Sequence, residues 1–84
     1  MEYYEISYPE IRNLFELARI GKRDTFLDLG SGKGLTVRLA TSERKVKRSI
    51  GVEKNFQNYE SAKGNAIRHL GKSQLMKLDL GSGI

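Results

Sequence analysis

The sequence predicts an α/β fold in which helix, strand, helix, strand, helix and strand follow one another and the three strands lie parallel. Three observations carry this. Short, mostly apolar runs at 25–29, 49–53 and 74–80 have the length of buried strands. The stretches between and before them repeat apolar residues at helical spacing. A chain of 84 residues has room for one small domain, and alternation of this kind closes through right-handed crossovers onto a single parallel sheet.

The first helix is expected over 9–20. Pro9 suits a first helical turn, Ser7 stands just before it as a cap, and Ile11, Leu14, Phe15 and Ala18 form an apolar stripe ending at Gly21. Thr25-Phe26-Leu27-Asp28-Leu29 is the first strand, running into a glycine cluster. Leu35, Val37, Leu39 and Ala40 belong to the second helix, and Ser49-Ile50-Gly51-Val52-Glu53 to the second strand. Asn55 is placed to cap a third helix that carries Phe56, Tyr59, Ala66, Ile67 and Leu70 along one side, with Gly71 beyond its end. Gly64 inside that helix costs about 1 kcal/mol relative to Ala. Leu27-Asp28-Leu29-Gly30-Ser31-Gly32 recurs letter for letter as Leu78-Asp79-Leu80-Gly81-Ser82-Gly83, but only the first copy continues into Lys33-Gly34 and a helix. The second copy therefore reads as a strand end.

Composition narrows the function. No cysteine excludes disulfides and thiolate metal sites, a single His excludes a histidine cluster, and no metal site is expected. No apolar run approaches the ~20 residues of a membrane span, and the acidic N-terminus does not read as a signal peptide, so a soluble, cytoplasmic protein is expected. The formal charge is +5, with the basic excess lying after residue 16 and densest at Arg44, Lys45, Lys47 and Arg48. Such a cluster is a candidate contact for nucleic acid, although solvated loops often look the same.

Asp28-Leu29-Gly30-Ser31-Gly32-Lys33-Gly34 falls between a strand and a helix. Glycines there allow a tight turn and let a ligand reach the backbone, while the helix start offers N–H groups to an anion. Glu53, at the end of the next strand, is placed to accept two hydrogen bonds from a ribose. Together these describe a nucleoside-bearing ligand across the carboxyl ends of neighbouring strands. The dinucleotide fingerprint G-x-G-x-x-G would need glycine where Leu35 stands, which counts against a nicotinamide-dependent oxidoreductase, and no phosphate-loop G-K-[ST] occurs at the required spacing.

The glycine loop with its leading acid, followed by Gly51-Val52-Glu53, resembles the cofactor-binding half of the class I S-adenosylmethionine-dependent methyltransferases. With Tyr8-Pro9 it also looks like the protein-lysine methyltransferases lacking a SET domain. The resemblance implies a partial Rossmann-like fold and S-adenosylmethionine as cofactor. It gives Asp28 the cofactor's amino group, Gly30, Ser31, Gly32 and Gly34 its methionine end, and Glu53 its ribose. Asp79, expected at the end of strand three, matches the acid that faces the adenine, with Leu80 beside that base. The resemblance implies one truncated domain over 1–84, with an arm at 1–8 and an α/β core at 9–84. It ends before the family's substrate-facing motif, so no catalytic residue is carried over and the methyl acceptor, protein or RNA, is left open. A strand-one edge bearing Phe26, Leu27 and Leu29 is expected to be open to another chain, favouring self-association. The alternative is a non-enzymatic basic module binding nucleic acid through Arg44, Lys45, Lys47 and Arg48.

Overall fold

The computed structural model describes residues 6–83. Four helices, α1 (Tyr8–Ala18), α2 (Leu35–Ser42), α3 (Phe56–His69) and the single turn α4 (Lys72–Leu75), accompany three strands, β1 (Thr25–Leu29), β2 (Arg48–Glu53) and β3 (Leu78–Ser82). The sheet order is β1-β2-β3 with both pairs parallel, as the alternation predicts. Among the described residues no helix is long and apolar enough to cross a membrane.

Helix α1 starts as the sequence predicts. Ser7 accepts the Glu10 N–H, and the Glu10 carboxylate accepts the Ser7 N–H at 3.1 Å, so two helix-end donors are satisfied reciprocally. Its end differs from the expectation. The helix stops at Ala18 because Arg19 takes a left-handed conformation, φ 54°, and its N–H turns back to Glu16; Gly21 lies beyond the stop.

The core forms where α1 and α2 meet on one face of the sheet. Ile11, Phe15, Leu39, Ala40 and Val46 are buried together, with Phe26 packed against them. Phe15 and Phe26 meet edge to face, their ring centres 5.4 Å apart. Phe26 thus faces the core, a correction to its assignment with Leu27 and Leu29, which are 55% and 75% exposed on the opposite face. Behind them, Thr41 of α2 donates to the Val37 carbonyl and shares a hydrogen bond with Ser49 of β2, so the buried hydroxyls are satisfied.

Helix α3 is capped by Asn55, whose side chain accepts the Asn58 N–H at 2.9 Å. Its buried stripe is Ala62 and Ala66, continued by Leu70, while Phe56 and Ile67 are exposed. Small residues win the contact face because α3 lies close against the sheet and the glycine loop. The predicted third strand is also displaced. Residues 72–75 form α4, with the Gly71 N–H donating to the Gln74 side chain, and the strand runs from Leu78 through Ser82 instead of ending at Leu80.

Candidate functional site

All loops that leave the strands emerge at one edge of the parallel sheet, and the glycine loop is the first of them. Gly30, Gly32 and Gly34 have φ of 89°, 58° and 84°, a conformation costly for residues with a Cβ. The turn is fixed to β2 because the N–H groups of Gly30 and Ser31 both reach the Val52 carbonyl, at 2.6 and 3.0 Å.

The glycines around the site serve different ends. Around Gly30 a Cβ would meet nothing within 4 Å, so its backbone faces open space. At Gly34 a Cβ would lie 3.0 Å from the Ala62 Cβ, so the missing side chain lets α3 close on the loop. Gly51 on β2 does the same for Ser31, whose Oγ would be 2.9 Å from an added Cβ. Ser31, Gly32 and Gly34 are consequently buried.

Glu53, at the carboxyl end of β2, is 9% exposed. Its Oε1 accepts the Gly32 N–H at 2.8 Å and its Oε2 accepts the Asn55 N–H at 2.9 Å. One carboxylate thereby ties the glycine loop to the start of α3. Asp28 lies half-buried on the covered face, where its carboxylate accepts the hydroxyl of Thr36 in the first turn of α2. Gly34 provides α2 with no side-chain cap, so this first turn keeps donors of its own for an anionic group.

A cavity of about 480 Å³ opens beside the loop, lined by Leu29, Gly30, Val52, Glu53, Lys54 and Gly83. Its size suits a small-molecule ligand. Of the residues singled out in the sequence, Gly30 and Glu53 line it directly, while Ser31, Gly32, Gly34 and Asp28 stand behind and shape it. Leu29, Val52, Lys54 and Gly83 were not singled out. The signal for Gly83 lay in the repeated hexapeptide, since an added Cβ there would come within 2.3 Å of a Val52 methyl.

Asp79 and Leu80 lie elsewhere. Asp79 pairs in register with Ile50, whereas Glu53 is level with Ser82. Three residues of strand, about 10 Å, separate those rows. The Asp79 carboxylate accepts the Arg48 Nε–H at 2.7 Å, and Asp79 and Leu80 border a separate hollow of about 350 Å³ beside Lys63, Ala66 and Ile67. The expected position of Asp79 at the end of strand three is therefore corrected: β3 continues past it. Among the described residues no group of three or more His, Cys, Asp or Glu is gathered to hold a metal ion.

Comparison with known proteins agrees with this geometry. Residues 1–78 match the model of the family described as histone methylation protein DOT1. A histone-lysine N-methyltransferase, H3 lysine-79 specific, from Drosophila melanogaster is 38% identical over 52 residues, covering 62% of this chain and 3% of that protein. A protein-lysine N-methyltransferase from Saccharolobus islandicus is 29% identical over 69 residues, 80% of this chain and 43% of the relative. Among solved structures, an RNA methyltransferase from Salinibacter ruber in complex with S-adenosyl-L-homocysteine superposes with a TM-score of 0.85 at 25% identity, covering 95% of this chain and 50% of the other. The chain thus spans half or less of the length of each of these proteins. With its glycine loop, its strand-end glutamate and a match running through nearly its whole length, this chain belongs to the DOT1 histone methylation protein family, within the class I S-adenosylmethionine-dependent methyltransferases.

Proposed function

We propose that residues 9–84 are the cofactor-binding portion of an S-adenosylmethionine-dependent methyltransferase whose acceptor is a protein lysine. The observation that carries the cofactor reading is the pairing of Gly30 and Glu53 on one cavity, a bare backbone turn facing a buried carboxylate. The fit is chemical. Glu53 has lone pairs left after accepting two N–H groups and meets the vicinal hydroxyls of a ribose, while the uncapped first turn of α2 receives a carboxylate. S-adenosylmethionine supplies an electrophilic methyl group on a sulfonium. The chain's own part is to hold and orient that donor, and in-line displacement depends chiefly on such positioning.

The lysine acceptor is supported by the family match and by the two lysine methyltransferases from Drosophila and Saccharolobus, while the Salinibacter structure keeps RNA as the competing acceptor. Asp28 acts through Thr36 on the start of α2, and Asp79 with Leu80 contributes to the adenine side only through the strand it belongs to. The exposed Leu27 and Leu29 support self-association at the β1 edge, which sedimentation of the protein across a concentration series tests. We further place the protein in the cytoplasm.

Calorimetry of S-adenosylhomocysteine binding to the full-length protein tests the cofactor site. Charge-assisted hydrogen bonds of ~1.5–3 kcal/mol set the scale, so Glu53→Ala weakens binding about tenfold or more. Equal affinity in wild type and variant overturns the ribose assignment. Transfer of labelled methyl groups to protein but not to RNA supports the lysine acceptor, and the reverse result replaces it.

A further inference from the structure

The loops that enter the strands gather at the edge of the sheet opposite the cavity, and they hold much of the chain's basic excess. Lys47 donates its backbone N–H to the Asp24 carbonyl at 2.9 Å, and Ser49 donates to the Lys77 carbonyl at 2.8 Å, so the three approaches run side by side. Lys22, Arg23, Lys45, Lys47 and Lys77 are all exposed on this rim. None of these five side chains makes an ion pair or hydrogen bond with the described residues.

Among the described residues, the acids that lie near the rim are already engaged. Asp24 accepts the Gly21 N–H at 2.8 Å, Glu43 pairs with Arg12, Glu16 with Arg44, and Asp79 with Arg48. This changes the basic cluster expected from the sequence. Arg44 and Arg48 are committed to internal partners, with Arg44 also donating to the Ile20 carbonyl, and only Lys45 and Lys47 of the four remain available. Topology adds Lys22, Arg23 and Lys77 in their place.

We propose that this rim docks the phosphate backbone of a nucleic acid duplex, without sequence preference and independently of methyl transfer. Adjacent strands lie about 4.8 Å apart, so the approaches to β1, β2 and β3 span roughly 10 Å before their side chains extend it. That width matches about three base-pair steps at 3.4 Å each, a stretch dense in phosphates. The approaches themselves, residues 19–24, 43–47 and 71–77, contain no aromatic residue on which an unpaired base could stack; Phe56 and Tyr59 lie at the start of α3, on the cavity side. Lysine as a compact charge, rather than a bidentate fork aimed at base edges, suits backbone contact.

Fluorescence anisotropy of the full-length protein with a labelled random-sequence DNA duplex, measured across a salt series, tests this. With all five cations on phosphates, log K falls with log salt at a slope of about −4 to −5. Lys45→Glu with Lys47→Glu lowers affinity at least tenfold and makes the slope shallower by about 2. Lys54→Glu with Gln57→Glu, on the cavity side at the start of α3, changes total charge by a comparable amount and leaves duplex affinity within about threefold. Unchanged affinity for S-adenosylhomocysteine in the rim variant shows that it is folded, and if that variant does not fold, Lys22→Ala with Lys77→Ala replaces it. Absent or salt-insensitive duplex binding overturns the proposal. So does an equal loss in both double variants, and so does equal competition by polyglutamate, which would make the partner an acidic protein. None of these results bears on the cofactor site, which its own titration judges.

Discussion

Gly32 and Glu53, separated by 21 residues in sequence, are joined by a buried hydrogen bond of 2.8 Å from a backbone amide to a carboxylate. The same carboxylate also receives the Asn55 amide. The acid that defines the pocket is therefore part of the scaffold as well, and a substitution there acts on both.

Replacing Glu53 by Ala leaves the Gly32 amide buried without an acceptor, at a cost of about 1–3 kcal/mol. Denaturant unfolding is expected to show that loss, and amide exchange at Gly32 to quicken. Glu53→Gln keeps one acceptor oxygen and recovers part of both. A fully stable Glu53→Ala protein would mean that the glycine loop holds its shape without the carboxylate.

Alanine at Gly30 and at Gly34 separates backbone strain from crowding. Both positions have positive φ, but only at Gly34 does an added Cβ meet Ala62, at 3.0 Å. Gly30→Ala is expected to cost about 1 kcal/mol, and Gly34→Ala about 2 kcal/mol or more. Adding Ala62→Gly to Gly34→Ala relieves the collision, and the coupling in that double-mutant cycle measures it.

Arg19 ends α1 in a left-handed conformation for which glycine is better suited. Arg19→Gly is expected to raise stability by about 0.5 kcal/mol, the relief of backbone strain exceeding the added freedom of the unfolded chain. A thermal melt checks this, and a lower melting temperature contradicts it.

Acid sensitivity is expected at the α1–α2 contact. The Arg12 guanidinium, hydrogen-bonded to Glu43 at 2.7 Å, holds that carboxyl below its ordinary value of 4.5. A carboxyl whose folded value is depressed stabilises fully above its unfolded value, and that contribution disappears as pH falls through the folded one. Arg12→Met removes the difference, so its melting temperature falls less than that of wild type between pH 5 and 3. Exposure of the pair keeps the effect small.

Much of the architecture was legible because periodicity, caps and glycines agreed. Strand β1 and the Ser7 and Asn55 caps follow from local sequence alone. The repeated hexapeptide shows where such reading stops. After Leu29 the first copy bends, with Gly30 and Ser31 both donating to Val52, whereas the second runs extended through Ser82 and Gly83 donates to the Glu53 carbonyl. The second copy is also displaced by one residue in register, since Phe26 is level with Ser49 and Ser49 with Leu78. A one-residue offset turns equivalent side chains to opposite faces. Asp28 consequently meets Thr36 under the helices and Asp79 meets Arg48 on the other side. No property of the six letters distinguishes the copies; the neighbouring strand does. The roles of Ser31 and Gly34 were hidden for a similar reason, because they depend on Gly51 and Ala62, distant partners in the chain.

The five residues of β1 set a distance of about 16 Å between its two ends. At physiological ionic strength the Debye length is about 8 Å, so charge at one tip is largely screened before it reaches the other. The separation, rather than the strand itself, isolates the two ends: mobile ions in the surrounding solvent screen a charge changed at the strand entries from the cavity at the strand exits.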